Sequence, residues 1–241
     1  MRQKFADEIL NKVVTDYDQI ADEFDSTRNN PWYEFEIYKE LLKQDDRVLD
    51  LGCGNGRLYE YLQPMGVDYV GIDVSQELLA KAKLKYRNKA KLNKVTFKKG
   101  GFLDIPYKRP NFDKIFCVAS FHHLPGRKYR MDALANMKKV LKQDGVLVIS
   151  VWNLWQKKYR KYIWESLLRI NKYDFGDTFI PWGKSGVDRY YHAFSLFEMR
   201  NLLRDAGFYI IDEVMVKKGS VVENFLEAEN FIFITKPLIN D

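Results

Sequence analysis

An α/β fold with a seven-stranded, mostly parallel sheet, one antiparallel strand and helices on both faces is predicted by three features of the sequence. The apolar residues switch repeatedly between a period of about 2 and a period of about 3.6, the mark of strands alternating with helices. One strand runs directly into a cluster of glycines and from there into a helix. The last two strand-like runs have no helical crossover between them, and such a pair is antiparallel.

The elements follow in order. An acidic helical segment opens the chain, and Arg47 to Leu51 is a short apolar strand that ends in glycines. Asn55 to Leu62 reads as helix and stops at Pro64; Tyr69 to Asp73 is the second strand. Ser75 is an N-cap for a helix running to about Lys91, with Glu77 placed well for the helix dipole. Val95 to Lys99 is the third strand, and Phe112 to Ala119 the fourth, apolar enough to be covered on both faces. Arg127 to Lys142 is helical, ending before Asp144-Gly145, and Val146 to Trp152 is the fifth strand. Ser195 and Glu198 form a capping box opening a helix that Gly207 closes. Tyr209 to Val216 and Phe231 to Thr235 complete the seven. Residues 1–241 are read as one domain, with residues 1–44 as an N-terminal helical cover. Residues 153–191 break the alternation and are read as an insertion, a lid or substrate-recognition element.

Composition narrows the class. With 46% hydrophobic and 15% aromatic residues, the chain can fill a large core, which excludes a disordered protein. The longest apolar runs, Ile115 to Ala119 and Val146 to Trp152, are too short to span a bilayer, so no membrane association is expected. The N-terminus MRQKFADEIL carries acids where a secretory signal needs an unbroken apolar run. Cys53 and Cys117 form no CxxC, which argues against a disulfide scaffold or zinc finger and suits a reducing cytoplasm. The net charge of +6 fits either plain solubility or a polyanionic partner.

Three successive strand ends carry chemistry. In Val48-Leu49-Asp50-Leu51-Gly52-Cys53-Gly54-Asn55-Gly56 the glycines let the backbone turn sharply and approach a ligand. The spacing is G-x-G-x-G rather than the G-x-G-x-x-G of dinucleotide folds. Asp50 precedes the turn, where a carboxylate meets an ammonium and repels a pyrophosphate. Asp73 ends the second strand, placed to accept both ribose hydroxyls. Asp104 follows the third, placed to accept an adenine amino group between Phe102 and Leu103. One such tip is an ordinary loop; three in order point to S-adenosyl-L-methionine on a Rossmann-like sheet. NAD is the competing ligand, disfavoured by the glycine spacing and the terminal strand pair.

With these residues in view, the chain resembles class I S-adenosylmethionine-dependent methyltransferases over nearly its whole length. It is also similar to a narrower family, the tRNA wobble-uridine carboxylmethyltransferases that esterify carboxymethyluridine. The stretch from Tyr17 to Trp32, with Thr27-Arg28 and Pro31-Trp32, resembles that family's N-terminal signature. The glycine loop with Cys53 and Asn55, His122-His123 after the fourth strand, Val151-Trp152 ending the fifth, and Arg189-Tyr190-Tyr191-His192 before the capped helix add to the likeness. The chain departs from the family in parts of the insertion and at Tyr33, where another proline is common. The resemblance implies a cofactor pocket of Tyr17, Arg28, Asp50, Gly52, Cys53, Gly54, Asp73, Val74, Phe102, Leu103, Asp104 and Ala119. It implies an acceptor side of His122, His123, Trp152, Arg189, Tyr190 and His192, no metal, and a small zinc-ribbon activator protein as partner.

Methyl transfer from a sulfonium is an in-line displacement, so the protein mainly has to align the reacting atoms. A carboxylate nucleophile is ionised at neutral pH and needs no general base; arginines and aromatic walls suit it better. Arg28, Trp152, Arg189 and Tyr190 are the candidates for that role, with Arg189 orienting the acceptor carboxylate. Each residue has a plainer reading. Arg28 pairs with Asp22, Glu23 or Asp25; the histidines wall the pocket; His192 bonds within its own turn; Trp152 is core. Adjacent histidines without a third ligand make a poor metal site.

From Lys81 to Lys99 there are nine basic residues and no acidic one. The insertion interleaves Lys157, Lys158, Arg160, Lys161, Arg169 and Lys172 with Trp155, Tyr159, Tyr162, Trp164 and Tyr173. Such a pattern neutralises phosphates and stacks unpaired bases, as tRNA loops require. The competing reading is a soluble surface over a lid, since positions 155, 159 and 162 also fit a buried helical stripe. Two further alternatives stand beside the tRNA enzyme: a small-molecule methyltransferase closing its insertion over a quinone or metabolite, and a catalytically silent cofactor-binding subunit.

Overall fold

A computed structural model describes residues 1–28, 32–90, 95–167, 172–183 and 185–238. Helices α1 (Gln3–Gln19), α2 (Ala21–Thr27) and α3 (Phe35–Lys39) precede strand β1 (Arg47–Leu51). The sheet then builds through α4 (Arg57–Leu62), β2 (Asp68–Asp73), α5 (Gln76–Lys85), α6 (Arg87–Ala90), β3 (Val95–Lys99), β4 (Phe112–Val118), α7 (Gly126–Val140) and β5 (Leu141–Trp152). The remainder comprises α8 (Arg160–Leu167), β6 (Asp177–Trp182), β7 (Val187–His192), α9 (Leu196–Asp205), β8 (Phe208–Lys217), β9 (Ser220–Val221) and β10 (Asn230–Pro237).

The main sheet has the order β3-β2-β1-β4-β5-β10-β8-β9. β1 to β5 are parallel, and β10 runs antiparallel between β5 and β8. This is the α/β architecture the sequence predicts, extended by β9, a two-residue hairpin return on β8. Successive residues of a strand face opposite sides, and both faces are apolar here. Leu49, Ile72, Ile115 and Ile149 pack under α7 and α9. Val48, Tyr69, Phe116 and Val148 pack under α3, α4 and α5. The strand order reverses at β1, so the connections leaving β1 and β4 pass to opposite faces of the sheet and leave a crevice at the strand ends, the usual ligand position in an open α/β sheet.

Caps set the helix boundaries. Ser75 Oγ accepts from the Leu78 N–H, and Ser195 Oγ from the Glu198 N–H, closing one donor of each first turn. The α5 helix is shorter than the expected run to Lys91. It breaks at Tyr86, whose ring is buried against Tyr59 and Phe97, and Lys91 lies outside the described residues.

The stretch 153–191 acquires its own structure: α8 and the antiparallel hairpin β6–β7. Leu154, Ile163, Ile180 and Tyr191 form its core, with Trp155, Tyr159 and Tyr162 packed against them. A second small cluster, Ile20, Trp182 and Val187 with Tyr17 and Phe24, joins α1 and α2 to the hairpin. The N-terminal helices and the hairpin thus meet above the crevice. Among the described residues, no helix is long and apolar enough to cross a membrane.

Candidate active site

The crevice opens into a cavity of about 620 Å³. Gly52, at φ +84°, sits so close to the tip of β4 that an added Cβ would lie 2.4 Å from Ser120 Cβ. Only glycine fits there. Ser120 Oγ in turn donates to the Leu51 carbonyl at 2.9 Å, stitching the two tips together. Ala119, beside it, holds φ +50°, a conformation that costs energy in any residue but glycine.

Asp50, Asp73 and Asp104 all line this one cavity. Asp73 Oδ2 accepts from the Gly54 N–H at 2.7 Å and Oδ1 from the Ser75 N–H at 2.9 Å, so the carboxylate clamps the glycine loop to β2. Burial raises its pKa against those hydrogen bonds. Asp50 is 3% exposed and accepts from the Tyr69 hydroxyl at 2.5 Å. Burial pushes it up to about 7, with Asp73 adding to the rise. A buried carboxylate of that kind is stabilised when a cation arrives. Asp104 is held beside the Gly101 backbone, with Phe102 and Leu103 on the same wall. The set fits the expected nucleoside: acceptors at three tips, a glycine loop without side chains, and apolar flanks.

The cavity is further lined by Arg28 and Arg57 beside the glycine loop and, across from it, by Trp152, Arg189, Tyr191, Tyr17 and His123. Among the described residues, none of the three arginines pairs with a carboxylate. Arg28 lies over Trp182 at 5.0 Å and over Phe24 at 5.6 Å rather than pairing with Asp22, Glu23 or Asp25. Arg57 stacks on Trp32 at 4.2 Å; burial and Arg28 lower its pKa to about 10, still charged at neutral pH. Arg189 is 4% exposed and stacks on Trp182 at 4.3 Å, and its buried Nε has no hydrogen-bond partner.

A directed chain of hydrogen bonds fixes Arg189. His123 Nδ1 lies 2.7 Å from the Tyr190 carbonyl, which can only accept, so Nδ1 carries the hydrogen. His123 Nε2 then accepts from the Tyr17 hydroxyl at 2.7 Å, and the Tyr17 oxygen accepts from Arg189 Nη1 at 3.2 Å. Burial drops His123 to about 3, so the ring stays neutral.

Fifteen of the residues singled out in the sequence share this cavity: Tyr17, Arg28, Asp50, Gly52, Cys53, Gly54, Asp73, Val74, Phe102, Leu103, Asp104, Ala119, His123, Trp152 and Arg189. Three do not. His122 is fully buried behind the wall, its Nδ1 accepting from the Trp152 N–H at 3.2 Å. Tyr190 and His192 belong to β7, where residues two apart share a face. Arg189 and Tyr191 therefore face the cavity, while Tyr190 and His192 face away toward Asp177. From the sequence no strand is assigned to Arg189–His192, so this alternation is not visible there. Arg57, Tyr191 and Trp32 were not assigned from the sequence; the first opens the helix after the glycine loop, a position that can be read.

The basic and aromatic residues separate similarly. Trp155, Tyr159 and Tyr162 pack, partly buried, on the insertion's own apolar cluster, whereas Trp164 is 68% exposed. Lys81 pairs with Asp22 and Lys85 with Glu60, Lys98 lies over Tyr107, and Lys99 lines the cavity. Lys91, Lys94, Arg169 and residues 29–31 lie outside the described residues.

A methyltransferase domain family matches residues 49–149. A methyltransferase-named protein of Encephalitozoon cuniculi is 30% identical over 81% of this chain and 86% of its own length. The tRNA (carboxymethyluridine(34)-5-O)-methyltransferase of Schizosaccharomyces pombe is 25% identical over 98% of this chain and 99% of its own. A solved SAM-dependent methyltransferase of Methanosarcina mazei superposes with a TM-score of 0.70, at 24% identity over 85% of this chain and 98% of that one. The chain belongs to the S-adenosylmethionine-dependent methyltransferases and is an enzyme whose cofactor is S-adenosyl-L-methionine.

Proposed function

We propose that this enzyme esterifies the carboxylate of carboxymethyluridine at the tRNA wobble position. One observation carries the reading: among the described residues, the acceptor half offers the Arg189 guanidinium, paired with no carboxylate, and aromatic walls but no free base. Its histidine, His123, is engaged on both nitrogens and held neutral. A hydroxyl or amine acceptor has to lose a proton, whereas a carboxylate arrives ionised. The likeness to the S. pombe enzyme over both whole lengths points the same way.

When bound, S-adenosyl-L-methionine supplies a methyl group on a sulfonium, which an ionised carboxylate takes up with no proton to remove. Asp50 and the glycine loop hold the amino-acid end of the cofactor, Asp73 the ribose and Asp104 the adenine. Arg57 and Arg28 flank the loop and neutralise its carboxylate. On the other side Arg189, steadied by Tyr17 and His123, orients the acceptor carboxylate with paired N–H donors. Trp152 and Tyr191, stacked with ring centroids 5.3 Å apart, close the wall against water. The exposed Lys157, Lys158, Arg160 and Lys161 near Trp164 meet the tRNA, and a zinc-ribbon activator covers apolar surface of the chain.

The half-buried stripe of Trp155, Tyr159 and Tyr162 favours a second reading, a lid over a compact metabolite or quinone. Incubation with labelled cofactor separates the two: methylation of bulk tRNA bearing carboxymethyluridine, followed by mass analysis of its nucleosides, against a metabolite panel. A methyl ester on the modified uridine supports the tRNA reading; label in a metabolite alone overturns it.

A further inference from the structure

The away-facing side of β7 carries a buried cluster of charges that the chemistry above leaves unused. Asp177 Oδ1 accepts from the Tyr190 hydroxyl at 2.6 Å, from His192 Nδ1 at 2.7 Å and from Arg130 Nη2 at 3.5 Å. Its Oδ2 accepts from the Asp174 N–H at 2.9 Å. Glu198 Oε1 accepts from His192 Nε2 at 2.9 Å and from Arg130 Nη1 at 3.2 Å. Arg130 Nε donates to the Leu124 carbonyl at 3.0 Å, one residue beyond His123. The side chains of Asp177, Arg130 and His192 are 0%, 2% and 3% exposed.

Ionised carboxylates only accept, so a ring with one on each nitrogen is satisfied when both nitrogens carry hydrogen. Burial would raise Glu198, but the hydrogen bond and charge of His192, with Arg130, outweigh it and keep the carboxyl low. Buried ion clusters are poor sources of stability, because well-packed apolar residues serve as well or better. What this one supplies is connection: it ties α7, the Leu124 loop, β6, β7 and α9 at one point. The adjacent face of β7 bears Arg189 and Tyr191.

We propose that Arg130, Asp177, His192 and Glu198 form a strut that fixes the angle at which β7 presents Arg189 and Tyr191 to the acceptor. These are positioning residues; they touch neither cofactor nor acceptor. The acceptor arm of the proposal rests on the proposed tRNA reading, so the test includes a readout that needs no acceptor. Amide hydrogen exchange of the full chain is compared for wild type, Asp177→Ala, His192→Ala and the conservative Glu198→Gln, alongside S-adenosylhomocysteine affinity and tRNA kinetics.

Asp177→Ala and His192→Ala are expected to speed exchange across β7 at least tenfold and to leave S-adenosylhomocysteine affinity within threefold. They raise the acceptor KM tenfold or more, with a smaller fall in kcat. Glu198→Gln, which still accepts from His192, restores most of the protection. Unchanged β7 exchange in both alanine variants overturns the strut, as does equal loss of cofactor affinity and acceptor KM, which marks general unfolding. If wild type does not methylate the tRNA, the substrate reading fails and the exchange comparison still decides the strut. Should Asp177→Ala fail to fold, His192→Ala decides alone.

Discussion

The two halves of the cavity are built by different means. The half at the glycine loop is made by the sheet: its carboxylates end β1 and β2 or follow β3, and Asp73 is bonded to the backbone N–H groups of Gly54 and Ser75. The half under the insertion is made by side chains from α1, β5, β7 and the loop after β4, held through Tyr17, His123 and the cluster behind β7. Backbone-built geometry resists single substitutions outside its clamp, whereas side-chain geometry propagates a change. On the proposed function, the first half holds the cofactor and the second selects the acceptor.

The largest effect is expected at the clamp. Asp73→Ala removes two charge-assisted hydrogen bonds worth about 1.5–3 kcal/mol each before the ribose is counted, so S-adenosylhomocysteine affinity should fall about 100-fold or more by calorimetry. Asp73→Asn, which keeps the shape, should lose less. Equal affinity in wild type and Asp73→Ala would break the division between halves at its firmest point. Next is Arg189→Ala, expected to lower acceptor kcat/KM by about 10- to 100-fold, since a buried charged pair is lost on binding. Cofactor affinity should stay within a few-fold. If both affinities drop together, the halves are one unit.

The same division explains what the sequence revealed. Asp50, Asp73 and Asp104 were legible because a strand end is a local signal: an apolar run, then a glycine or acid at the tip. The mostly parallel sheet with an antiparallel strand followed from alternation and the terminal strand pair; the order of its strands did not. Residues 153–191 were not legible, because their hairpin depends on contacts with α1 and α2 far away in sequence. Without the hairpin, the period-two rule could not be applied to Arg189–His192, and Tyr190 was placed in the site in place of Tyr191. Arg130 and Asp177 carry no local mark at all; only tertiary packing joins them.

A smaller effect is expected from pH on the glycine-loop half. Asp50 titrates at about 7, far above an ordinary carboxylate, because burial disfavours its charge. A bound ammonium favours the ionised form, so affinity is full above pH 7 and falls below it, by at most about tenfold per pH unit for one proton. Folding runs the other way. The folded state holds this proton more tightly than the unfolded chain, so the free protein loses stability as pH rises from about 4 to 7. Asp50→Asn should flatten both dependences, read by titration calorimetry and by melting at several pH values. A cofactor affinity that is flat from pH 5.5 to 8 in wild type would remove Asp50 from the role of cation partner.

The smallest expected effect sharpens the outer edge of the insertion half. Of the aromatics placed there, Trp155 and Tyr162 pack inward, and Trp155 Nε1 donates to the Phe194 carbonyl at 3.0 Å. Trp164 is 68% exposed on α8, whose first turn carries Arg160 and Lys161. An exposed indole beside cations is suited to stacking on an unpaired base, worth about 1–3 kcal/mol. Trp164→Ala should therefore weaken tRNA binding about 5-fold or more, leave the melting temperature unchanged and leave the salt dependence almost as steep, since no phosphate contact is lost. Lys161→Ala should instead flatten the salt dependence by about one counterion. Trp155→Ala, in contrast, should lower the melting temperature, because it opens the apolar cluster of the insertion. If Trp164→Ala binds tRNA like wild type while Trp155→Ala alone weakens it, the insertion acts as a closed lid, and the compact-substrate reading gains over the tRNA one.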